Sequence, residues 1–251
     1  KASTFGVEIG EAKVSFDKVM ARKNAVVKQL VGGVEMLLKG NGVDVYRGNG
    51  SIVSPTQVSV DGREQLSTRK IVVASGSVPA RLPIPGMDLP GVLDSTSILD
   101  LDHVPASLAG FGSKVTVLEM LPQILPPVDE ELARRMQQMM RQAKIDVHVG
   151  ARVQAVERRS DGLAVRVETA KGEVEVPAEM VLVATGRWPY TEGLGLERVA
   201  VEMNRRAVVA NEYLETNVPG IYAIGDAIGG IMLAHLASAE GEIAVANALG
   251  T

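Results

Sequence analysis

Val19, Met20, Val26, Val27, Leu30, Val31, Val34, Leu37 and Leu38 recur at helical spacing and form one apolar stripe. The pattern predicts a helix capped by Ser15 that ends around Lys39-Gly40-Asn41-Gly42. Short β-type runs follow at Val43–Tyr46, Gln57–Val60 and Lys70–Ala74, separated by polar or glycine-rich turns. Pro79, Pro83, Pro85 and Pro90, with Pro105 further on, make the next stretch an extended connection. Lys114–Leu118 then reads as a buried strand. Val128, Leu132, Met136, Met139, Met140 and Ala143 repeat at helical spacing, with Asp129, Glu130 and Glu131 near the helix's positive end. With Ile145–Val149 as the following strand, this is a strand–helix–strand unit, and its two strands pair in parallel.

A meander comes next: Arg152–Arg158, a turn at Ser160-Asp161-Gly162, Leu163–Thr169, a turn at Lys171-Gly172, and Glu173–Val176. Met180–Ala184 and Gly220–Ile224 are apolar strands, and Leu236–Leu249 is a helix. The expected class is α/β, with parallel sheets and an inserted β-meander.

With 46% hydrophobic and 22% charged residues over 251 positions, the chain can bury a sizeable core. Its net charge of -4 and 3% aromatic content argue against a nucleic-acid partner. No apolar run approaches the roughly 20 residues that span a bilayer, and Lys1–Gly10 has no signal-peptide core, so neither a membrane nor export is expected. A cytoplasmic protein is the expectation. There is no cysteine, which excludes disulfides, thiolate metal sites and cysteine nucleophiles within these residues.

Three apolar strands run straight into small-residue turns: Ile71–Ser77, Val181–Arg187 and Ile221–Asp226. Ligands of open α/β sheets bind beyond the carboxyl ends of strands, where glycine lets backbone come close. An ordinary strand exit accounts for any one of these turns, but less readily for three in this order. Glu119 ends the strand Val115–Leu118, where such folds bind a ribose; a solvated strand-end carboxylate is the alternative. His103, His148 and His235 have no spacing that points to a metal, and the first two read as surface or structural residues.

Ala74-Ser75-Gly76-Ser77, Ala184-Thr185-Gly186-Arg187-Trp188-Pro189 and Tyr222-Ala223-Ile224-Gly225-Asp226 are followed by Met232-Leu233-Ala234-His235 and Glu240-Gly241. Together they resemble the two-dinucleotide-binding flavoprotein reductases (class I pyridine nucleotide-disulfide oxidoreductases). Within that group the chain looks most similar to dihydrolipoamide dehydrogenase, with mercuric reductase and other disulfide reductases as the alternatives. The resemblance implies FAD contacts at Gly50, Ser75, Gly76, Ser77, Asp226, Met232, Leu233, Ala234 and His235. It implies NAD contacts at Glu119, Val153 and Gly186, with the Glu119 carboxylate favouring NAD over NADP. The implied reaction oxidises a protein-bound dihydrolipoyl dithiol and reduces NAD. The implied partners are a lipoyl-bearing protein of a 2-oxo acid dehydrogenase or glycine-cleavage complex and a second copy of the chain in a homodimer.

By the same resemblance, residues 1–107 are part of an FAD-binding domain, and 108–186 part of an NAD-binding domain lacking its Gly-rich strand–turn–helix. Residues 187–251 return to the FAD-binding and central part, with the C-terminal dimerisation domain absent. The family's Cys-x4-Cys segment and its His-Glu pair have no counterpart here, so no catalytic residue is assigned. Ser107-Leu108-Ala109 runs directly into Gly110-Phe111-Gly112, as if about sixteen residues of strand, turn and helix were missing between them. If the chain is literally so, the expectation is a non-catalytic remnant or weak nucleotide-binding module.

Overall fold

The computed structural model describes residues 15–103 and 114–250. The Ser107–Gly112 junction lies outside them. The described residues fall into two compact units, one built from residues 15–36, 81–103 and 114–183, the other from 37–80 and 184–250.

Helix α1 (Phe16–Gly40) forms where the apolar stripe predicts it. None of its residues is buried, and Leu30, Val34 and Leu37 of the stripe are more than half exposed. Val43–Tyr46 is not a strand. A strand requires a neighbour for its N–H and C=O groups, and no described segment pairs with this one. The run is β-branched and aromatic, but it stays exposed.

In the second unit, β1 (Gly50–Ser54), β2 (Gln57–Val60) and β3 (Glu64–Ser67) make an antiparallel sheet. The sequence pattern shows only the middle strand. β4 (Ile71–Val73) and β5 (Ser77–Pro79) follow. In the first unit, β6 (Val92–Leu93), β7 (Val115–Glu119), α2 (Glu130–Gln142) and β8 (Ile145–Val149) come in order. β7 and β8 pair in parallel from Val115↔Ile145 to Glu119↔Val149, as the strand–helix–strand pattern requires. Asp129 caps α2 by accepting the Glu131 N–H at 2.9 Å.

The meander is present as β9 (Arg152–Arg159), β10 (Gly162–Thr169) and β11 (Gly172–Ala178), antiparallel in the order β11-β10-β9. Its inner face packs Val156, Leu163, Val165 and Val167 with Ala151 into this unit's core. β12 (Val181–Leu182) lies parallel to β6.

The chain then re-enters the second unit with β13 (Arg187–Pro189), the hairpin β14 (Met203–Asn204) and β15 (Ala207–Val208), β16 (Ile221–Ala223) and α3 (Ala234–Leu249). Ile52, Ile71, Val73, Leu196, Val201, Val208, Ile221, Ala223 and Ala227 form its core. The fold is mixed α/β, with parallel pairs and a β-meander, the class expected. Among the described residues no helix is long and apolar enough to cross a membrane.

The loop Gly193–Gly195 ties this core together, because Leu194 O accepts the Ile52 N–H at 2.7 Å and Leu196 is 2% exposed. Gly193 and Gly195 both have left-handed backbone, at φ 76° and 75°. A Cβ on Gly193 meets open space, whereas one on Gly195 would lie 2.2 Å from the Ile52 carbonyl oxygen. Gly193→Ala should therefore cost about 1 kcal/mol of backbone strain, and Gly195→Ala on the order of 3 kcal/mol or more. Urea unfolding of the two variants side by side tests this; equal costs would refute it.

Candidate functional site

β16 and β4 lie side by side in parallel, with Ile221 opposite Ile71, Tyr222 opposite Val72 and Ala223 opposite Val73. One more ladder bond, from Ile224 N–H to Val73 O at 3.0 Å, carries the pairing to the strand ends. Two of the three small-residue turns thus leave the sheet together. The third arrives by another path. Its strand β12 belongs to the other unit, but its continuation β13 pairs antiparallel with β5, placing Pro189 opposite Ser77 and Arg187 opposite Pro79. Gly186 O also accepts the Ala80 N–H at 3.0 Å.

The three turns meet at Ser77. Its Oγ donates to Asp226 Oδ2 at 2.5 Å and accepts from Arg187 Nε at 2.7 Å. Arg187 Nη2 also donates to the Ser77 carbonyl at 2.6 Å. Ser75 Oγ donates to Tyr190 O at 2.6 Å, and the Tyr190 N–H to Gly76 O at 2.9 Å. Gly76 has φ 72°, and a Cβ there would touch nothing, so this turn presents bare backbone to open space.

Helix α3 closes over the Asp226 turn. Glu240 Oε2 accepts the Gly225 N–H at 2.6 Å, and a Cβ on Gly225 would lie 3.0 Å from that of Ala237. Met232 and Leu233 lead into α3, and Ala234 and His235 are its first residues. Met232 is half-buried and the other three are exposed. Leu233 is extended, with no side-chain cap. The first amides of a helix have no acceptor within it, so this end offers N–H groups and partial positive charge. Gly50 stands apart, in another sheet, opposite Val60 at the start of β1.

In the other unit, Glu119 ends β7. Its Oε1 accepts the Leu121 N–H at 2.8 Å, and its backbone carbonyl accepts the Ala151 N–H at 2.9 Å. Val153, two residues beyond Ala151, packs against that unit's core. Glu119 and Val153 therefore share one turn region, while Gly186 belongs to the unit that holds Ser77 and Asp226.

Sequence reasoning missed Arg187, Tyr190 and Glu240 as participants. Arg187 and Glu240 stand inside motifs that were visible, but nothing local shows that the partner of Arg187 lies 110 residues earlier. The shallow recess lined by Thr56, Gln57, Ser67, Thr68 and Arg69 contains none of these groups. Among the described residues no cluster of three or more His, Cys, Asp or Glu could hold a metal ion. His148 and His235 are exposed.

Parallel strands ending in glycine turns, with a carboxylate set directly after one of them, are the arrangement at which α/β sheets receive ligands. The pyridine nucleotide-disulphide oxidoreductase family model matches residues 6–241. Dihydrolipoyl dehydrogenase of Bacillus subtilis is 36% identical, across 99% of this chain and 58% of its own length. That of Acholeplasma laidlawii is 37% identical across 99% and 78%. The HOCl-induced flavoprotein disulfide reductase RclA of Escherichia coli superposes with a TM-score of 0.86 at 28% identity, covering 94% of this chain and 58% of RclA. The chain belongs to the pyridine nucleotide-disulphide oxidoreductase family. It spans little more than half the length of the Bacillus subtilis relative and of RclA. The Bacillus subtilis alignment runs over 270 positions, more than the chain's 251 residues, so the relative has stretches inside it with no counterpart here.

His103 is exposed, with Nδ1 2.5 Å from Asp102 Oδ1 and Nε2 3.6 Å from Glu179 Oε1. The hydrogen bond to Asp102, helped by the Glu179 charge, raises its pKa above the ordinary 6.5. A raised folded-state value means that the pair stabilises the fold fully below 6.5 and loses this contribution as pH rises through the folded value. The stability gap between the parent and His103→Gln, from urea unfolding, should be widest on the acid side of 6.5 and shrink toward alkaline pH. A gap that widened with pH would contradict the pairing.

Proposed function

We propose that the polypeptide carrying these residues is an FAD-dependent oxidoreductase of the dihydrolipoamide dehydrogenase type, which oxidises a protein-bound dihydrolipoyl dithiol and reduces NAD. The convergence of three strand-end turns on Ser77, Asp226 and Arg187 carries this reading. The resemblance to two dihydrolipoyl dehydrogenases supports it. The donor and acceptor set fits FAD. The Asp226 carboxyl oxygens can accept hydrogen bonds from polyol hydroxyls, and the bare backbone at Gly76 admits close approach. The N-terminal amides of α3 suit an electron-rich carbonyl edge. FAD, when bound, supplies two-electron transfer between a dithiol and a nicotinamide. Ser75, Gly76, Ser77, Asp226 and Met232 to His235 would hold it, with Gly50 as a further contact.

Glu119 and Val153 would hold NAD. One Glu119 oxygen is tied to the Leu121 N–H, and the other is the acceptor for a ribose hydroxyl. A thiol is needed for dithiol exchange and these 251 residues have none, so that step uses groups outside them. A lipoyl-bearing protein of a 2-oxo acid dehydrogenase or glycine-cleavage complex is the matching partner, and a cytoplasmic homodimer the matching state. The likeness to RclA favours, as a second reading, a reductase of the same chemistry acting on another disulfide.

The full-length protein should purify with a visible flavin spectrum, and Asp226→Ala should weaken FAD binding about 10- to 100-fold, the equivalent of one charge-assisted hydrogen bond. A colourless protein that takes up no FAD on reconstitution would leave only the non-catalytic remnant. Dihydrolipoamide-dependent reduction of NAD separates the first reading from the second. Glu119→Gln keeps an acceptor for Leu121 and removes the charge that opposes a 2′-phosphate. It should shift the NADP to NAD ratio of kcat/KM upward by about tenfold, and an unchanged ratio would remove Glu119 from the nucleotide site.

A further inference from the structure

We infer that Arg187 is a positioning residue for the flavin site, acting on Asp226 through the Ser77 hydroxyl; the inference rests on the FAD reading above. A serine hydroxyl has one proton and can point it at any acceptor in reach. Here the choice is removed. Arg187 Nε, which only donates, occupies a lone pair of Ser77 Oγ at 2.7 Å, so the Ser77 proton goes to Asp226 Oδ2. Nη2 of the same guanidinium holds the Ser77 carbonyl at 2.6 Å, giving a two-point clamp on one residue. The clamp comes from β13 and grips β5, which are already paired.

The clamp has one consequence. Oδ2 of Asp226 is held in one direction, which fixes where Oδ1 points as the acceptor for a ligand hydroxyl. Lysine has one compact ammonium and cannot donate in a planar fork, so it does not replace the arginine.

The test is a double-mutant cycle on FAD affinity in the full-length protein, with apoprotein titrated by FAD and bound flavin read from fluorescence quenching. Arg187→Met and Ser77→Ala should each weaken binding about tenfold, and the double variant no more than either alone, because both cut the same relay. Ser77→Thr, which keeps a hydroxyl, should restore affinity to within about twofold of the parent. Additive losses would show that Arg187 acts on the fold independently of Ser77 and would overturn the inference. So would a Thr variant as weak as the Ala variant. If Arg187→Met fails to fold, as judged by circular dichroism of the apoprotein, Arg187→Lys takes its place in the same cycle with the same expected loss. Failure of the parent itself to bind FAD overturns the function; an intact parent with an additive cycle overturns only the relay.

Discussion

The parallel pairing of β16 with β4 is the constraint on which the candidate site depends, because it decides which loop residues can meet. β16 is buried on both faces. Ile221 and Ala223 are fully buried in one cluster with Ile71, Val73 and Val208, while Tyr222, 3% exposed, packs with Leu214 and Ala244 on the other side. Burying such side chains contributes roughly 1.5–3 kcal/mol each for the larger ones. A slip of one residue would turn Tyr222 into the first cluster and Ile221 into the second, so both faces resist it. Register fixed by apolar packing thereby sets the position of a polar group, since Asp226 lies only three residues beyond Ala223.

The polar side of the site follows from that register. Ser77 and Asp226 lie 149 residues apart in sequence, yet their strands deliver them to hydrogen-bond distance without a long side chain bridging the gap. Arg187 does have a long side chain, and it reaches Ser77 because β13 pairs with β5. Among the described residues no buried side-chain polar atom lacks a partner, so the convergence leaves no unmet desolvation cost.

What could be read beforehand was whatever local chemistry decides. The α2–β8 pair and the three meander strands combine a clean period with turn residues such as Asp161-Gly162 and Lys171-Gly172, and they appear within one or two residues of expectation. β1 and β3 were illegible because their sequences, Gly50–Ser54 and Glu64–Ser67, mix small and polar residues with little alternation. Val43–Tyr46 failed in the opposite way, having β propensity without a neighbour to pair with. The site shows the same division. Its pieces were legible as glycine turns, but their meeting at Ser77 was not, since that depends on which strands pair. Arg187 is the clearest case: visible in a motif, with a role set entirely by a residue 110 positions away.

Glu240 shows why so many contacts gather on one turn. The Gly225–Asp226 turn is held by the Ile224–Val73 ladder bond, by Glu240 on the Gly225 N–H, and by Ser77 on Asp226, each from a different element. A half-buried glutamate spent on a single backbone N–H adds little net stability, because desolvating its charge offsets much of the bond. Its effect is directional. The amide of Gly225 is held from one side and the carboxylate of Asp226 from the other, so both ends of the turn are restrained by different elements. A polar group restrained before any ligand arrives would lose little entropy on meeting one, so on the FAD reading this restraint, more than the bonds themselves, is what the convergence of three strand ends would contribute.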